Sequence, residues 1–243
     1  MNQFKFCVIF TLLVICLSLI KMNHKTLLIF ALGLILLSCG SIKIIDKPVT
    51  SNHQRDSLTL QYLKNRYGLA QEAPTIKPKM VVVHWTVIPT LEKSFEAFDA
   101  PMLPNWRPEI ANASALNVAA QFLVDQDGTI YSLLPETYMA RHVIGLNHCA
   151  IGIENVGGID DKKLTKKQLR SNIKLINYLK KKYDDIEYVI GHYEYTNFEG
   201  HELWLEKDSG YRTKKTDPGV EFINSVRKRT SKYNWKPVPK KGD

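Results

Sequence analysis

Cysteine is scarce in this chain, which carries four in 243 residues. Cys7 and Cys16 fall in an apolar amino-terminal stretch and Cys39 follows it, so Cys149 stands alone farther along. A disulfide framework needs paired cysteines within the folded part, and the sequence therefore excludes a fold held together by disulfides. The core must come from apolar packing, for which a chain of this length suffices to build one good-sized domain.

Long apolar runs are missing as well. The two longest, residues 7–20 and 27–37, fall short of the ~18 residues that a membrane-spanning helix needs, which disfavours an uncleaved or double-spanning anchor. The second run ends in Leu36-Leu37-Ser38-Cys39 and resembles a bacterial lipoprotein signal, in which the cysteine is lipidated and becomes the new amino terminus. We expect residues 1–38 to be a targeting segment, with Met22 as the true start.

This signal predicts a protein of the cell envelope. Lipidated Cys39 would anchor it to a membrane on the periplasmic or outer-membrane side, and residues 39–54, which lack periodicity, would form a tether. The net charge of +9 would suit an anionic partner, but lysine-rich helices usually present their charges to water. No nucleic-acid motif is present, so we expect no nucleic-acid partner. We also expect a monomer.

Short apolar runs alternate with helical patterns along the rest of the chain. Three runs have the composition of buried strands: 80–83, 150–153 and 188–190. A hairpin is predicted around Asp125-Gln126-Asp127-Gly128. Caps or apolar spacing predict helices at 56–67, at 90–98, after Thr165 and at 220–228.

The order of these elements predicts an α/β fold, with a central mixed β-sheet flanked by helices. We expect a single domain over residues 55–230. Residues 231–243, rich in proline and lysine, would follow as a flexible tail.

Two of the predicted strands end in histidine. His84 directly follows 80–83, and Gly191-His192 follows 188–190, while Asp217 precedes Pro218-Gly219. Two imidazoles and a carboxylate form a ligand set that leaves the fourth position of a zinc ion open for water. A structural role is the better interpretation of any one of these residues alone, such as a turn or cap for the aspartate. The three together favour a metal site.

Five blocks of sequence occur in an order that identifies a family. They are His84-Trp85-Thr86, Asp127-Gly128-Thr129-Ile130-Tyr131, Arg141-His142 with Ile151-Gly152-Ile153-Glu154, Gly191-His192, and Lys215-Thr216-Asp217-Pro218-Gly219. The set resembles the zinc N-acetylmuramoyl-L-alanine amidases related to peptidoglycan recognition proteins. The resemblance covers roughly residues 79–222 and implies their fold.

The resemblance also implies a reaction. Zinc amidases of this kind hydrolyse the amide between the lactyl group of muramic acid and the first L-alanine of the stem peptide. By resemblance, Zn²⁺ would be bound by His84, His192 and Asp217, with Glu154 as proton carrier and Lys215 facing the oxyanion. Contacts with peptidoglycan or a muropeptide would fall to the residues beside these blocks: Trp85, Arg141, His142 and Asn155.

The chain departs from the family pattern in two places. An insertion around 199–210 brings His201, a possible alternative ligand, and Trp204, a substrate platform or packing residue. Ala120 falls where some relatives carry a catalytic tyrosine, which leaves the proton-carrying role to Glu154. His148 and Cys149 are a weaker alternative pair of metal ligands.

Two other functions stay open at this point. A non-catalytic lipoprotein that binds peptidoglycan or muropeptides would use the same fold, but such binders typically lack one or more metal ligands. A purely structural lipoprotein bridging membrane and wall would show neither zinc nor amide cleavage.

Overall fold

The computed structural model describes residues 42–105, 107–159 and 161–240. The predicted signal segment and the lipidation site at Cys39 lie outside these residues. Within the described part of the chain, no helix combines the length and the apolar character needed to span a membrane.

Six strands form one mixed sheet, as predicted. They are β1 (Ile44–Asp46), β2 (Met80–Val83), β3 (Phe122–Val124), β4 (Ile130–Ser132), β5 (Ala150–Asn155) and β6 (Tyr188–Gly191). Their order across the sheet is β1-β4-β3-β5-β2-β6. Neighbours run parallel except for β3 and β4, which form the predicted antiparallel hairpin.

Helices flank the sheet, four of them near the predicted places and a short one where none was predicted. They are α1 (His53–Tyr62, continued by a π-helical turn at Leu63–Tyr67), α2 (Leu91–Asp99), α3 (Pro108–Ala111), α4 (Lys166–Lys182) and α5 (Val220–Arg229). Thr165 and Gln168 form the expected capping box at the start of α4. Gly68 ends the first helix with a φ of 74°, a left-handed conformation that glycine adopts without steric cost.

The central strands are buried on both faces, which explains their uninterrupted apolar runs. Val81 and Val83 of β2 pack with apolar residues of α4 and α5. Met80 and Val82 point to the other face, among residues of β5, β6 and the segment around Val143. Side chains alternate along a strand, so His84 continues the face of Met80 and Val82.

The segment predicted as a tether differs from that expectation in part. Ile44–Asp46 forms β1 and pairs in parallel with β4, and Val49 beyond it is 2% exposed. The edge of β4 offers unpaired backbone groups that a passing chain can satisfy. A strand of three residues has too little periodicity to stand out in sequence, so the folded part begins before residue 55.

The first residues of the predicted flexible tail lie against the domain. The indole Nε1 of Trp235 donates to Thr230 Oγ1 at 2.8 Å. The backbone N–H of Lys236 donates to the carbonyl of Glu187 at 2.9 Å, and its ammonium pairs with the carboxylate of Glu187 at 2.8 Å. These contacts attach the chain to the segment that leads into β6.

His148 makes the fold sensitive to acid. Its Nδ1 is buried with no hydrogen-bond partner among the described residues, and its ring packs edge-on against Tyr67 at 5.4 Å. Burial lowers the pKa of His148 from 6.5 to about 4. As pH falls, His148 of the unfolded chain binds a proton near pH 6.5, whereas His148 of the folded protein binds one only near pH 4. Between these two pH values the histidine therefore lowers the free energy of unfolding.

We predict that His148→Leu makes the free energy of unfolding less dependent on pH. Denaturant titrations near neutral pH and near pH 4 should show a smaller acid-induced loss than in the parent protein, by up to roughly 3 kcal/mol. The exposed His53 offers a control, since His53→Leu should keep the parental difference. An unchanged pH dependence in His148→Leu would refute the assignment.

Candidate metal centre

Three neighbouring parallel strands deliver side chains to one edge of the sheet. Val83 of β2 is in register with Ile153 of β5 and with Gly191 of β6. The next residue of each strand is His84, Glu154 or His192, in the spatial order Glu154, His84, His192. Because the registers coincide, all three side chains emerge at the carboxyl ends of the strands and on the same face.

Asp217 reaches this edge from the loop before α5. The backbone N–H of Tyr193 donates to the carbonyl of Asp217 at 3.1 Å, which ties the loop to the end of β6. Gly191 allows the close approach, since a Cβ there would lie 2.9 Å from Cδ of Pro218. The long connection after His192 therefore returns Asp217 to the two histidines.

The three side chains converge on one point. The Nδ1 atoms of His84 and His192 are 2.9 Å apart, and Oδ2 of Asp217 lies 3.2 Å from the first and 3.0 Å from the second. The residues are 1%, 7% and 7% exposed in chain order from His84 to Asp217. Among the described residues, this is the group of histidine, cysteine and carboxylate side chains that could hold a metal ion.

This donor set fits a metal ion better than it fits hydrogen bonding alone. Two Nδ1 atoms face each other and the same carboxylate oxygen. Wherever the protons are placed, at least one of these three contacts joins two hydrogen-bond donors or two acceptors, which repel each other. A tetrahedral Zn²⁺ with bonds of about 2.0–2.2 Å holds its ligand atoms about 3.3 Å apart, close to the spacing found here. Two nitrogens and one oxygen are also the ligands of a catalytic zinc site with one open position.

The charges of the site are already arranged for a cation. Burial would raise the pKa of Asp217, but His192 and His84 outweigh it and hold that pKa well below its usual range. Burial lowers the pKa of His192 to about 4. A carboxylate and a neutral imidazole are the protonation states that bind a metal.

Glu154 sits beside the ligands with one oxygen uncommitted within the protein. Its Oε2 is buried and has no hydrogen-bond partner among the described residues. Burial raises the pKa of Glu154 to about 7, against the opposing influence of His84 and with a further rise from Asp217. A carboxyl with a pKa near neutrality can both accept and return a proton.

These residues open into a cavity of about 500 Å³. Lys215, Trp85 and Arg107 line it, together with Phe98 of α2. The charge of Lys215 partly offsets the rise in the pKa of Glu154 that burial causes. Trp85 also lines a neighbouring groove of about 700 Å³ between the start of α4 and the start of α5.

Two other predicted substrate contacts are largely engaged within the protein, although Arg141 also lines this cavity. Arg141 is 3% exposed, and its guanidinium donates to the carbonyls of Ile110 at 2.7 Å and Ser114 at 3.1 Å. Asn155 is fully buried, where its Nδ2 donates to the carbonyl of His84 at 2.9 Å. The contact of Asn155 supports the backbone of a possible metal ligand, whereas those of Arg141 support the segment around α3. A direct contact of either residue with substrate stays a prediction.

His142 also touches the metal centre. Its Nδ1 lies 3.0 Å from Nε2 of His84, and its Nε2 lies 3.2 Å from the carbonyl oxygen of Ala150. Burial and the neighbouring His84 lower the pKa of His142 well below its ordinary value. No local pattern predicts this pairing, because the two histidines are 58 positions apart in the chain.

The insertion packs on the domain and contributes no residue to the cluster of possible metal ligands. A ring nitrogen of His201 lies 3.3 Å from the hydroxyl of Tyr188, and the ring stands outside the cluster of possible ligands. Trp204 stacks on Tyr195 with ring centres 6.1 Å apart and covers Gly145 closely. His148 and Cys149 are not members of the cluster either.

The sequence matches one family model and two curated proteins. Residues 74–220 match the family model described as N-acetylmuramoyl-L-alanine amidase. The endolysins of Escherichia phage T7 and Enterobacteria phage T3 are each 36% identical to the chain in an alignment of 74 residues that covers 28% of this chain. The match spans 49% of each endolysin, about half of its length.

Among solved structures, two similar ones are an amidase and a PGRP. N-acetylmuramoyl-L-alanine amidase LysC from Clostridium intestinale URNW is 22% identical, with a TM-score of 0.48 over 81% of this chain and 100% of that chain. Bumblebee PGRP-SA is 20% identical, with a TM-score of 0.47 over 81% of this chain and 99% of that chain.

The family model matches more than half of the chain and includes all three possible metal ligands together with Glu154 and Lys215. The chain therefore belongs to the N-acetylmuramoyl-L-alanine amidase family.

Proposed function

We propose that the protein is a zinc-dependent N-acetylmuramoyl-L-alanine amidase. It would hydrolyse the amide between the lactyl group of N-acetylmuramic acid and the L-alanine of peptidoglycan stem peptides. The observation that carries the proposal is the convergence of His84, His192 and Asp217 beside Glu154, whose Oε2 is buried and uncommitted. Family membership and the similarity to two phage endolysins support it.

Zinc suits the site better than the other common ions. Two imidazole nitrogens and one carboxylate oxygen match catalytic zinc, whereas magnesium and calcium prefer ligand sets made of oxygen alone. Bound Zn²⁺ would supply Lewis acidity, which activates water and polarises the scissile carbonyl.

Glu154 would carry the proton. Its carboxylate takes a proton from water as the oxygen adds to the amide carbon, and returns it to the L-alanine nitrogen as the C–N bond breaks. The products are a lactyl carboxylic acid and a free amine, which balances the addition of one water. The raised pKa of Glu154, about 7, suits both halves of this transfer.

Lys215 would stabilise the developing negative charge on the carbonyl oxygen. Its side chain lines the cavity with Glu154 and Asp217, and the loop that carries it is tied to β6. A cation held in place before the reaction costs little reorganisation when charge develops. Trp85, in the wall shared by cavity and groove, would contact the sugar or peptide flanking the scissile bond.

The place of action would be the cell envelope. The lipoprotein-like signal that ends at Cys39 supports a membrane anchor, and peptidoglycan lies within reach of such an anchor. The short run between Cys39 and β1 would then separate the catalytic domain from the lipid surface.

We predict that the zinc-loaded protein releases stem peptides from purified muropeptides. Mass spectrometry should find peptides that begin with a free L-alanine amine and sugars that retain the lactyl carboxyl. Glu154→Gln should lose at least about 100-fold in turnover, because it removes the proton carrier, and should still bind one zinc.

The matched control is Glu72→Gln, which neutralises an exposed carboxylate in the loop after α1 and should keep full activity. Full activity in Glu154→Gln would remove Glu154 from the mechanism. Muropeptides that bind to the zinc-loaded protein and stay intact would identify a non-catalytic binding protein instead.

For the location, we predict that Cys39→Ser moves the protein from the membrane fraction to the soluble fraction of lysed cells. Lipid attachment supplies most of the membrane affinity of such a protein. Replacing Cys149, which is buried in the domain, by serine offers a control that should leave the fractionation unchanged. A Cys39→Ser variant that stays with the membrane would contradict lipid anchoring at this residue.

A further inference from the structure

We propose that His142 is a positioning residue for the metal centre: it fixes the proton of His84 on Nε2 and so turns an unprotonated Nδ1 towards the metal. This inference rests on the proposed function only in taking the cluster to be a metal site. It assigns His142 a part in metal binding in place of the predicted contact with substrate.

A backbone carbonyl can only accept a hydrogen bond. The carbonyl oxygen of Ala150 lies 3.2 Å from Nε2 of His142, so that nitrogen carries the proton of the neutral ring. Nδ1 of His142 is then an acceptor, and the atom 3.0 Å away from it is Nε2 of His84.

The tautomer of His142 determines the tautomer of His84. Because Nδ1 of His142 accepts, Nε2 of His84 must carry a proton in order to donate to it. A neutral imidazole holds one proton, so Nδ1 of His84 is left with its lone pair. That is the nitrogen which lies 2.9 Å from His192 and 3.2 Å from Asp217 at the metal centre. The partner of the remote nitrogen thus sets the tautomer that binds metal.

The position of His142 is also defined by its backbone and by the packing of its ring. Its backbone N–H donates to Oδ1 of the buried Asn147 at 2.8 Å. One face lies against Gly152, where an added Cβ would be 2.9–3.0 Å from ring atoms. The rings of His142 and His84 meet edge to face, with centres 5.1 Å apart and planes at 89°. A ring fixed in this way can orient its neighbour.

Both ring nitrogens of His142 therefore have protein partners within hydrogen-bond distance. A substrate group would have to displace one of them. The geometry thus favours a role in holding the metal ligand, and the two roles predict different defects in a variant.

The test measures zinc affinity by competition with a chromophoric chelator. His142→Leu removes the acceptor and should weaken zinc binding about 10- to 100-fold. His142→Asn keeps an acceptor oxygen near the position of Nδ1 and should recover most of that loss. The control His148→Leu alters another half-buried histidine, outside the cluster, and should bind zinc as the parent does.

A second variant covers the case in which His142→Leu fails to fold. Gly152→Ala keeps every polar group but pushes a methyl group against the His142 ring, so it should also weaken zinc binding. Gly210→Ala, in a loop away from the cluster, provides the matched glycine control.

Parental zinc affinity in His142→Leu, or in Gly152→Ala where the leucine variant does not fold, would overturn the proposal. Parental affinity with impaired hydrolysis would restore the role in substrate binding. Weakened zinc binding in a protein that cleaves no muropeptide would contradict the proposed function and leave this inference intact.

Discussion

The coincident register of three parallel strands is the constraint on which the rest of the site depends. β5, β2 and β6 pair so that positions 154, 84 and 192 fall side by side at the carboxyl edge. Backbone hydrogen bonds of buried strands define these positions far more rigidly than loops could. Asp217 alone must be brought in by a loop, and that loop is tied to the end of β6.

The same arrangement carries an electrostatic cost that a bound cation would offset. Buried carboxylates and imidazoles lose their hydration. Here two imidazole nitrogens and one carboxylate oxygen lie within 3.2 Å of one another. The pKa of Asp217 stays low despite burial, whereas the pKa of Glu154 next to it rises to about 7. Two carboxyl groups at one edge thus have different protonation behaviour, one suited to hold a metal and the other to move a proton.

Much of this could be predicted from the sequence because the deciding signals are local. β-branched runs followed by histidine predicted two of the strand ends, and Thr165 with Gln168 predicted the start of α4. The ordered motif blocks predicted the family, which the match over residues 74–220 confirms. Each of these signals lies within a few neighbouring residues.

Other features depend on partners that are distant in sequence. The pairing of His142 with His84 requires a carbonyl at Ala150 and a missing side chain at Gly152, which no pattern around residue 142 indicates. The short strand β1 exists because the edge of β4 is available to it.

The central claim is that His84, His192 and Asp217 bind a single zinc ion beside Glu154. A crystal structure of the zinc-loaded protein, with anomalous scattering recorded at the zinc edge, tests it most directly. We expect one strong peak about 2.0–2.2 Å from Nδ1 of both histidines and from a carboxylate oxygen of Asp217. A peak elsewhere, or an Asp217 turned away from the two imidazoles, would contradict it.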